Sequence, residues 1–191
     1  MAAKKDTLIN MFVALFVICI VSGGVLGVVY NATKEPIAAA ETAKKTEAIK
    51  NVLPEFNELK ETMVMSVLED TEIPFYLAYD ADNNFIGAAV ETFTNKGFSG
   101  NISLMVGILA DGTLKNISVL QHAETPGLGS KMTEPTFKDQ FNGKKADSFN
   151  FKVKKDGGDV DAITAATISS RAFCDAVNRA LLTFENNKGG F

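Results

Sequence analysis

The chain has 191 residues, of which 46% are hydrophobic and 22% charged, and its formal net charge is −4. This length suits one domain of ordinary size, and the acidic balance argues against nucleic acid as a partner, because nucleic acid requires a basic surface. One histidine, His122, and two cysteines, Cys19 and Cys174, cannot supply a zinc or iron–sulfur site at the usual ligand spacing. We therefore expect no metal site.

An uncharged apolar segment lies near the N-terminus. Residues 8–30 contain no Asp, Glu, Lys or Arg, and a helix of this length extends about 34 Å, enough to cross a hydrocarbon core of about 30 Å. A secretory signal has a shorter apolar core that is followed directly by a small-residue cleavage site. We predict an uncleaved transmembrane helix over 8–30 in a lipid bilayer, after a cytoplasmic N-terminus at 1–7.

The charges beside this segment determine its orientation only weakly. Lys4 and Lys5 precede it, while Lys34, Lys44 and Lys45 follow it. The positive-inside rule counts basic residues in short flanking segments. It therefore favours a cytoplasmic N-terminus by a small margin.

Residues 31–54 are predicted to link the membrane segment to the domain at 55–191. Within this linker, Thr33 to Leu53 has the features of a separate helix. Thr33 is a good N-terminal cap, and Pro36 suits a first turn, where an N–H group would have no partner. Pro54 ends the segment. This helix would be either a stalk or the first packed element of the domain.

The middle of the chain has the short β-branched and aromatic runs of a sheet. Asn101–Ala110 and Thr113–Gln121 flank Asp111-Gly112, which predicts a hairpin with a two-residue turn. The other predicted elements are strands at 62–68, 74–80, 85–94 and 149–153, and helices at 133–141 and 169–189. The predicted fold class is α+β, with one N-terminal transmembrane helix followed by one domain.

A loop rich in small residues follows the hairpin. Pro126-Gly127 has the signature of a type II turn, and Gly129 adds a second flexible position. A turn needs only one proline and one glycine, so Glu124 and Thr125 are not required by the turn itself. Backbone N–H groups in such a loop can approach a flat or phosphorylated ligand, but a purely structural loop is an equally good interpretation.

Hydroxyl and carboxylate side chains are concentrated in Val160–Arg171, just before the last predicted helix. Oxygens of Ser, Thr and Asp accept hydrogen bonds from the unpaired N–H groups at a helix start. The same N–H groups and the helix dipole attract phosphate. On the residues alone, a helix start with more capping side chains than it needs is the simpler interpretation.

Three segments together resemble the FMN-binding domain family. Asp161–Ser170 resembles its flavinylation motif, Asp-x-x-(Ser/Thr)-Gly-Ala-Thr-x-(Ser/Thr)-Ser, His122–Gly129 contains its Glu-Thr-Pro-Gly-Leu-Gly loop, and Gly97–Gly100 matches its Gly-aromatic-x-Gly segment. Ala165 occupies the position of the motif glycine. If that position needs a positive φ angle, alanine opposes it by about 1 kcal/mol.

In such proteins a flavin transferase passes FMN from FAD to a threonine hydroxyl and releases AMP. The resemblance therefore implies a phosphodiester between FMN and Thr167, which would be a modification acceptor, and no catalytic residue is expected. The protein would position the flavin ring and tune its electrostatics while the ring carries electrons. The other cofactor-binding residues that the resemblance implies are Thr164, Ala165, Ala166, Ile168, Ser169, Ser170, Glu124, Thr125, Gly127, Leu128 and Gly129.

Within this family the chain is similar to the G subunits of Rnf-type complexes, which are ion-translocating ferredoxin:NAD oxidoreductases. The C subunits of sodium-translocating NADH:quinone reductases are the alternative, but they are typically longer than this chain. The resemblance implies other membrane subunits and a flavin transferase as partners. It also implies a single-pass protein of a bacterial or archaeal cell membrane with an extracytoplasmic domain. A membrane-tethered ligand-binding module without a covalent cofactor is the alternative from another class.

Overall fold

The computed structural model describes residues 7–68 and 71–191. The chain divides into two compact units, Met1–Ala43 and Lys44–Phe191. Nearly all of the predicted cytoplasmic N-terminus at 1–7 lies outside the described residues, as do Lys4 and Lys5, which favour its orientation.

Helix α1, Leu8–Val52, is continuous over 45 residues. It is long and apolar enough to cross a membrane, and its apolar window is not buried by the rest of the protein. The prediction of a separate helix that begins at Thr33 is wrong, because Pro36 lies inside α1 and Thr33 Oγ1 donates to the Val29 carbonyl at 2.8 Å. The alanine- and lysine-rich residues that follow Pro36 have high helix propensity, which offsets its missing hydrogen bond.

Among the described residues, five antiparallel strands form one sheet, in which each strand pairs with the next one along the chain. The strand predicted at 62–68 begins earlier, because the polar residues from Glu58 onward pair with β2 at an edge where no apolar side chain is needed. The bounds are β1 Glu58–Met65, β2 Glu72–Tyr79, β3 Phe85–Gly97, β4 Gly100–Leu109 and β5 Leu114–His122.

The predicted hairpin is confirmed as β4–β5, but its turn is longer than two residues. Leu109 N–H donates to the Thr113 carbonyl at 2.8 Å, and Gly112 N–H donates to the Leu109 carbonyl at 2.8 Å. Gly112 has a φ of 85°, whereas Asp111 stays at negative φ. These bonds define a three-residue loop that ends in a left-handed glycine, which is a common hairpin connection.

Two predicted elements between the sheet and the last helix differ from the structure. Residues 149–153 form no strand: Val153 makes one isolated bridge to Val160, and Phe151 is buried against Phe141. The apolar side chains of this segment pack into the core, although its backbone is irregular. The helix predicted at 133–141 is broken into 3-10 turns at Gly129–Thr133 and Asp139–Phe141 around helix α2, Pro135–Lys138.

Helix α3, Thr167–Asn187, covers one face of the sheet. Its buried side chains, among them Phe173, Val177 and Phe184, pack with residues of that face such as Phe75 and Ile108. Burial of this apolar surface is the main stabilising contribution to the domain. The arrangement also fixes the first turn of α3 beside the loops that end β3 and β5.

The opposite face of the sheet is covered by the last residues of α1. Ala48, Ile49 and Val52 are buried there against Ala89 and Met105. Because these α1 residues lie in the unit Lys44–Phe191, the end of the helix is part of the domain core. Of the two possibilities left open for this segment, a stalk and a first packed element of the domain, its C-terminal residues correspond to the second.

Candidate functional site

The first turn of α3 lies beside two loops, around a cavity of about 320 Å³. One loop joins β3 to β4, and the other follows β5. Most of the residues that the resemblance implies line this cavity, although they come from segments far apart in the chain. Its lining residues are Phe98, Glu124, Thr125, Leu128, Gly129, Ala165, Ala166, Thr167, Ile168 and Ser169.

Three of the implied residues do not line this cavity. Thr164 is exposed and lines a separate cavity of about 260 Å³. Ser170 is fully buried, where its Oγ accepts from the Ile163 N–H at 2.9 Å and donates to the Ala166 carbonyl at 3.0 Å. Gly127 has a φ of 75°, which matches the predicted type II turn. Ser170 and Gly127 thus shape the segments that carry the site.

Thr167 is the first residue of α3 and is half-buried. The expectation that hydroxyl groups cap this helix is wrong, because the capping position is held by Ala166, whose side chain accepts no hydrogen bond. Among the described residues, none accepts from the N–H groups of Thr167, Ile168 or Ser169. The helix start therefore keeps three N–H donors for an external acceptor, such as a phosphate.

Ala165 precedes this helix start with a φ of 62°. The positive φ angle considered for the motif glycine is therefore present here, and this position has the left-handed conformation that favours glycine. A Cβ atom in this conformation approaches the following carbonyl, which costs about 1 kcal/mol or somewhat more. The local geometry of the motif is preserved, but alanine makes it less stable.

Replacing Ala165 with glycine is expected to raise the free energy of unfolding by about 1 kcal/mol, because the left-handed strain disappears. Urea denaturation of the detergent-solubilised chain, followed by circular dichroism, measures this change. Ala146→Gly is the matched control: Ala146 is exposed and is not among the residues with a positive φ, so the same chemical change there relieves nothing and should lower stability slightly. A loss of stability in Ala165→Gly would contradict this interpretation.

Glu124 connects the three segments around the cavity and is only 5% exposed. Its Oε1 accepts from the Ser99 N–H at 3.0 Å, which fixes the β3–β4 loop. Its Oε2 accepts from Ser169 Oγ at 2.6 Å, which fixes the first turn of α3. One buried carboxylate thus holds both neighbouring segments against its own loop.

Glycines at two positions allow this close approach. A Cβ atom on Gly129 would lie 2.5 Å from both Glu124 Oε2 and Ser169 Oγ. A Cβ atom on Gly97 would lie 2.8 Å from Glu124 Oε1. Contacts this short do not occur without displacement, so both positions require glycine. The sequence singled out Gly97–Gly100 as a segment but gave no direct signal for Phe98 or Ser99, whose contacts depend on the fold.

The rim of the cavity carries large apolar side chains that are open to solvent. Phe98 is 68% exposed, Ile168 is 48% exposed and Leu128 is 42% exposed. Flat apolar surfaces beside a few polar groups are typical of sites for planar ligands. The polar helix start and the apolar rim match the two chemically different ends of a flavin mononucleotide.

His122 and Cys174 have structural positions. His122 Nδ1 accepts from the Glu124 N–H at 3.2 Å, as expected for a hydrogen-bonded histidine at the end of a strand. Cys174 is only 3% exposed on α3, and burial raises the pKa of its thiol to about 12. The thiol stays protonated at neutral pH and is therefore a poor nucleophile.

The sequence and the fold both match known proteins. A protein-family model described as "FMN-binding domain" matches residues 97–182. The G subunit of the ion-translocating oxidoreductase complex of Aliivibrio fischeri is 34% identical over 198 residues, covering 97% of this chain and 91% of the relative. The protein of the same name from Methanosarcina acetivorans is 35% identical over 177 residues, covering 90% of this chain and 92% of the relative.

Among solved structures, Shewanella oneidensis NqrC matches with a TM-score of 0.50 and 23% sequence identity, over 76% of this chain and 73% of that chain. At this identity the likeness shows the fold alone, whereas the two G-subunit relatives match along almost the whole chain. All ten lining residues of the cavity fall inside the matched FMN-binding domain. The chain therefore belongs to the family of G subunits of ion-translocating oxidoreductase complexes and contains an FMN-binding domain.

Proposed function

We propose that this chain is a membrane-anchored electron-transfer subunit of an ion-translocating oxidoreductase complex and that it carries FMN on Thr167. The observation that supports this most directly is the position of Thr167. Its hydroxyl forms no hydrogen bond with the described residues, and it stands at a helix start with three unpaired N–H donors beside a partly apolar cavity.

The residues around Thr167 fit the parts of FMN. The N–H groups of Thr167, Ile168 and Ser169 would donate to the phosphate, whose charge the helix dipole also stabilises. Phe98 and Leu128 would contact the ring at the rim of the cavity. Bound FMN supplies one- or two-electron transfer, while the protein determines its position and surroundings.

Thr167 is proposed as an acceptor and not as a catalytic nucleophile. Its attachment would form a bond between Thr167 Oγ1 and the FMN phosphorus, break the phosphoanhydride of FAD, release AMP and remove the hydroxyl proton. A general base for that proton is missing from the described surroundings, because both oxygens of Glu124 already accept from Ser99 and Ser169. A flavin transferase would therefore supply both FAD and the base.

Two tethers would keep the electron carrier near its redox partners. Helix α1 is long and apolar enough to anchor the domain to a bilayer, and the phosphodiester would prevent loss of the flavin. Confinement of this kind raises the effective concentration of the carrier without new contacts. The names of the relatives favour an Rnf-type complex over the NADH:quinone reductase as the source of the other membrane subunits. We place the domain on the extracytoplasmic side.

The test is in-gel fluorescence of the full chain expressed with a flavin transferase. A fluorescent band after denaturation is expected for the wild type and for Thr167→Ser, which keeps a hydroxyl, whereas Thr167→Ala should be dark. Thr164→Ala should stay fluorescent, because Thr164 lines the other cavity. A dark wild-type band, or fluorescence that survives in Thr167→Ala, would refute covalent attachment at this residue and would favour a binding module without a covalent cofactor.

A further inference from the structure

The Glu124 carboxylate is buried in the cavity wall without a cation. No Lys, Arg or His among the described residues forms an ion pair with it, and none lines the cavity. Its two oxygens each accept a hydrogen bond, from Ser99 N–H and from Ser169 Oγ. Both oxygens therefore act as hydrogen-bond acceptors, as the oxygens of a carboxylate group do.

A buried charge without a counter-ion is costly unless hydrogen bonds satisfy it. Here the two bonds satisfy the oxygens but leave the net negative charge uncompensated. Screening by salt is weak at a site that is 95% shielded from solvent, since Glu124 is only 5% exposed. The electrostatic effect of Glu124 therefore extends into the cavity that also contains Thr167.

We propose that Glu124 is a positioning residue that joins the walls of the flavin cavity and whose negative charge lowers the midpoint potential of the flavin held there. This inference rests on the proposed function. Each electron added to the flavin brings one negative charge, and Glu124 opposes whatever part of that charge is not neutralised by a proton. A carboxylate at this position thus makes the flavin a stronger electron donor.

Glu124→Gln removes the charge while conserving the shape and the hydrogen bonds. The amide Oε1 can accept from the Ser99 N–H, and the amide Nε2 can donate to Ser169 Oγ, because a hydroxyl both donates and accepts. The midpoint potential of the flavinylated full chain in detergent is measured by spectroelectrochemical titration at one fixed pH. We expect Glu124→Gln to shift the potential of the flavinylated chains to more positive values.

Thr125→Lys tests the same electrostatic effect without altering the buried carboxylate. Thr125 is exposed and lines the cavity next to Glu124, so a lysine there brings a compensating positive charge to the rim. We expect a positive shift in Thr125→Lys and none in the neutral control Thr125→Gln. This pair shows only how the potential responds to a charge at the rim; if Glu124→Gln fails to fold, Glu124→Met supplies a second neutral replacement, for which the same positive shift is expected.

An unchanged midpoint potential in flavinylated Glu124→Gln or Glu124→Met would overturn the inference, as would a shift of equal size in the neutral variant Thr125→Gln. None of these results would affect the proposed function, because the flavin would still be attached to the chain. A wild-type chain without covalent flavin would instead refute the proposed function. The in-gel fluorescence of the wild type separates the two failures before any potential is measured.

Discussion

Replacing Gly129 with alanine is expected to reduce flavin attachment by about tenfold or more. The new Cβ atom would lie 2.5 Å from Glu124 Oε2 and from Ser169 Oγ, which are the two ends of one hydrogen bond of 2.6 Å. Either this bond breaks or the loop moves away from α3. Overpacking costs about 1–3 kcal/mol, and loss of a hydrogen bond to a buried charge costs about 1.5–3 kcal/mol.

A cost of about 1.4 kcal/mol already lowers the ratio of competent to displaced cavity about tenfold. The measurement is flavin fluorescence per mole of chain on a denaturing gel, after expression with the transferase. Gly143→Ala is the control for a methyl group added away from the cavity: Gly143 has a positive φ, 73°, which Gly129 lacks, but an added Cβ atom there meets nothing within 4 Å. Equal fluorescence in the Gly129 and Gly143 variants would contradict the close packing described around Glu124.

Replacing Gly107 with alanine is expected to lower the free energy of unfolding by about 3 kcal/mol, the upper end of the usual cost of overpacking. Gly107 lies in β4 where the end of α1 crosses the sheet, and its added Cβ atom would overlap the Val52 carbonyl oxygen. A backbone atom cannot avoid the contact by changing rotamer. The end of α1 would therefore be displaced, together with the buried Ala48 and Ile49.

Urea denaturation of the detergent-solubilised chain, followed by circular dichroism, measures the effect of Gly107→Ala. Gly189→Ala is the control, because it has open space and no positive φ, and we expect a change within about 0.5 kcal/mol there. If Gly107→Ala were as stable as Gly189→Ala, α1 would not pack on the sheet as described.

Local sequence patterns predicted the elements whose stability depends on nearby residues. The Asp111-Gly112 hairpin, the type II turn at Pro126-Gly127 and the apolar face of α3 are examples, since each follows from chain geometry over a few residues. The positive φ angle of Ala165 was considered only as a condition, because the motif that this segment resembles has glycine at that position. Propensity and periodicity are informative at this scale.

The errors arose where one local signal was outweighed, either by the propensity of neighbouring residues or by tertiary contacts. Pro36 and Thr33 suggested a helix start, but strong helix formers on the C-terminal side keep α1 continuous. The alternation in 149–153 suggested a strand, but Phe151 is an anchor in the core of an irregular segment. The cluster of hydroxyls suggested capping, but Ser169 bonds to Glu124 and Ser170 closes the preceding turn.

The role of Glu124 could not be derived from the sequence. Its partners Ser99 and Ser169 are 25 and 45 residues away, and the fold alone brings them to one carboxylate. The family motifs placed Glu124 near the cofactor by resemblance. They gave no indication that it would be buried without a cation, which is the basis of its proposed effect on the flavin.

The most direct test of the central claim is to locate the flavin on the chain by mass spectrometry. Trypsin cleavage after Lys155 and Arg171 releases the peptide 156–171, which contains four hydroxyl side chains: Thr164, Thr167, Ser169 and Ser170. Because Ser169 and Ser170 are buried and Thr164 lines another cavity, fragment ions should place one FMN phosphodiester on Thr167 alone. FMN on any of the other three, or an unmodified peptide from chain expressed with its transferase, would contradict the account.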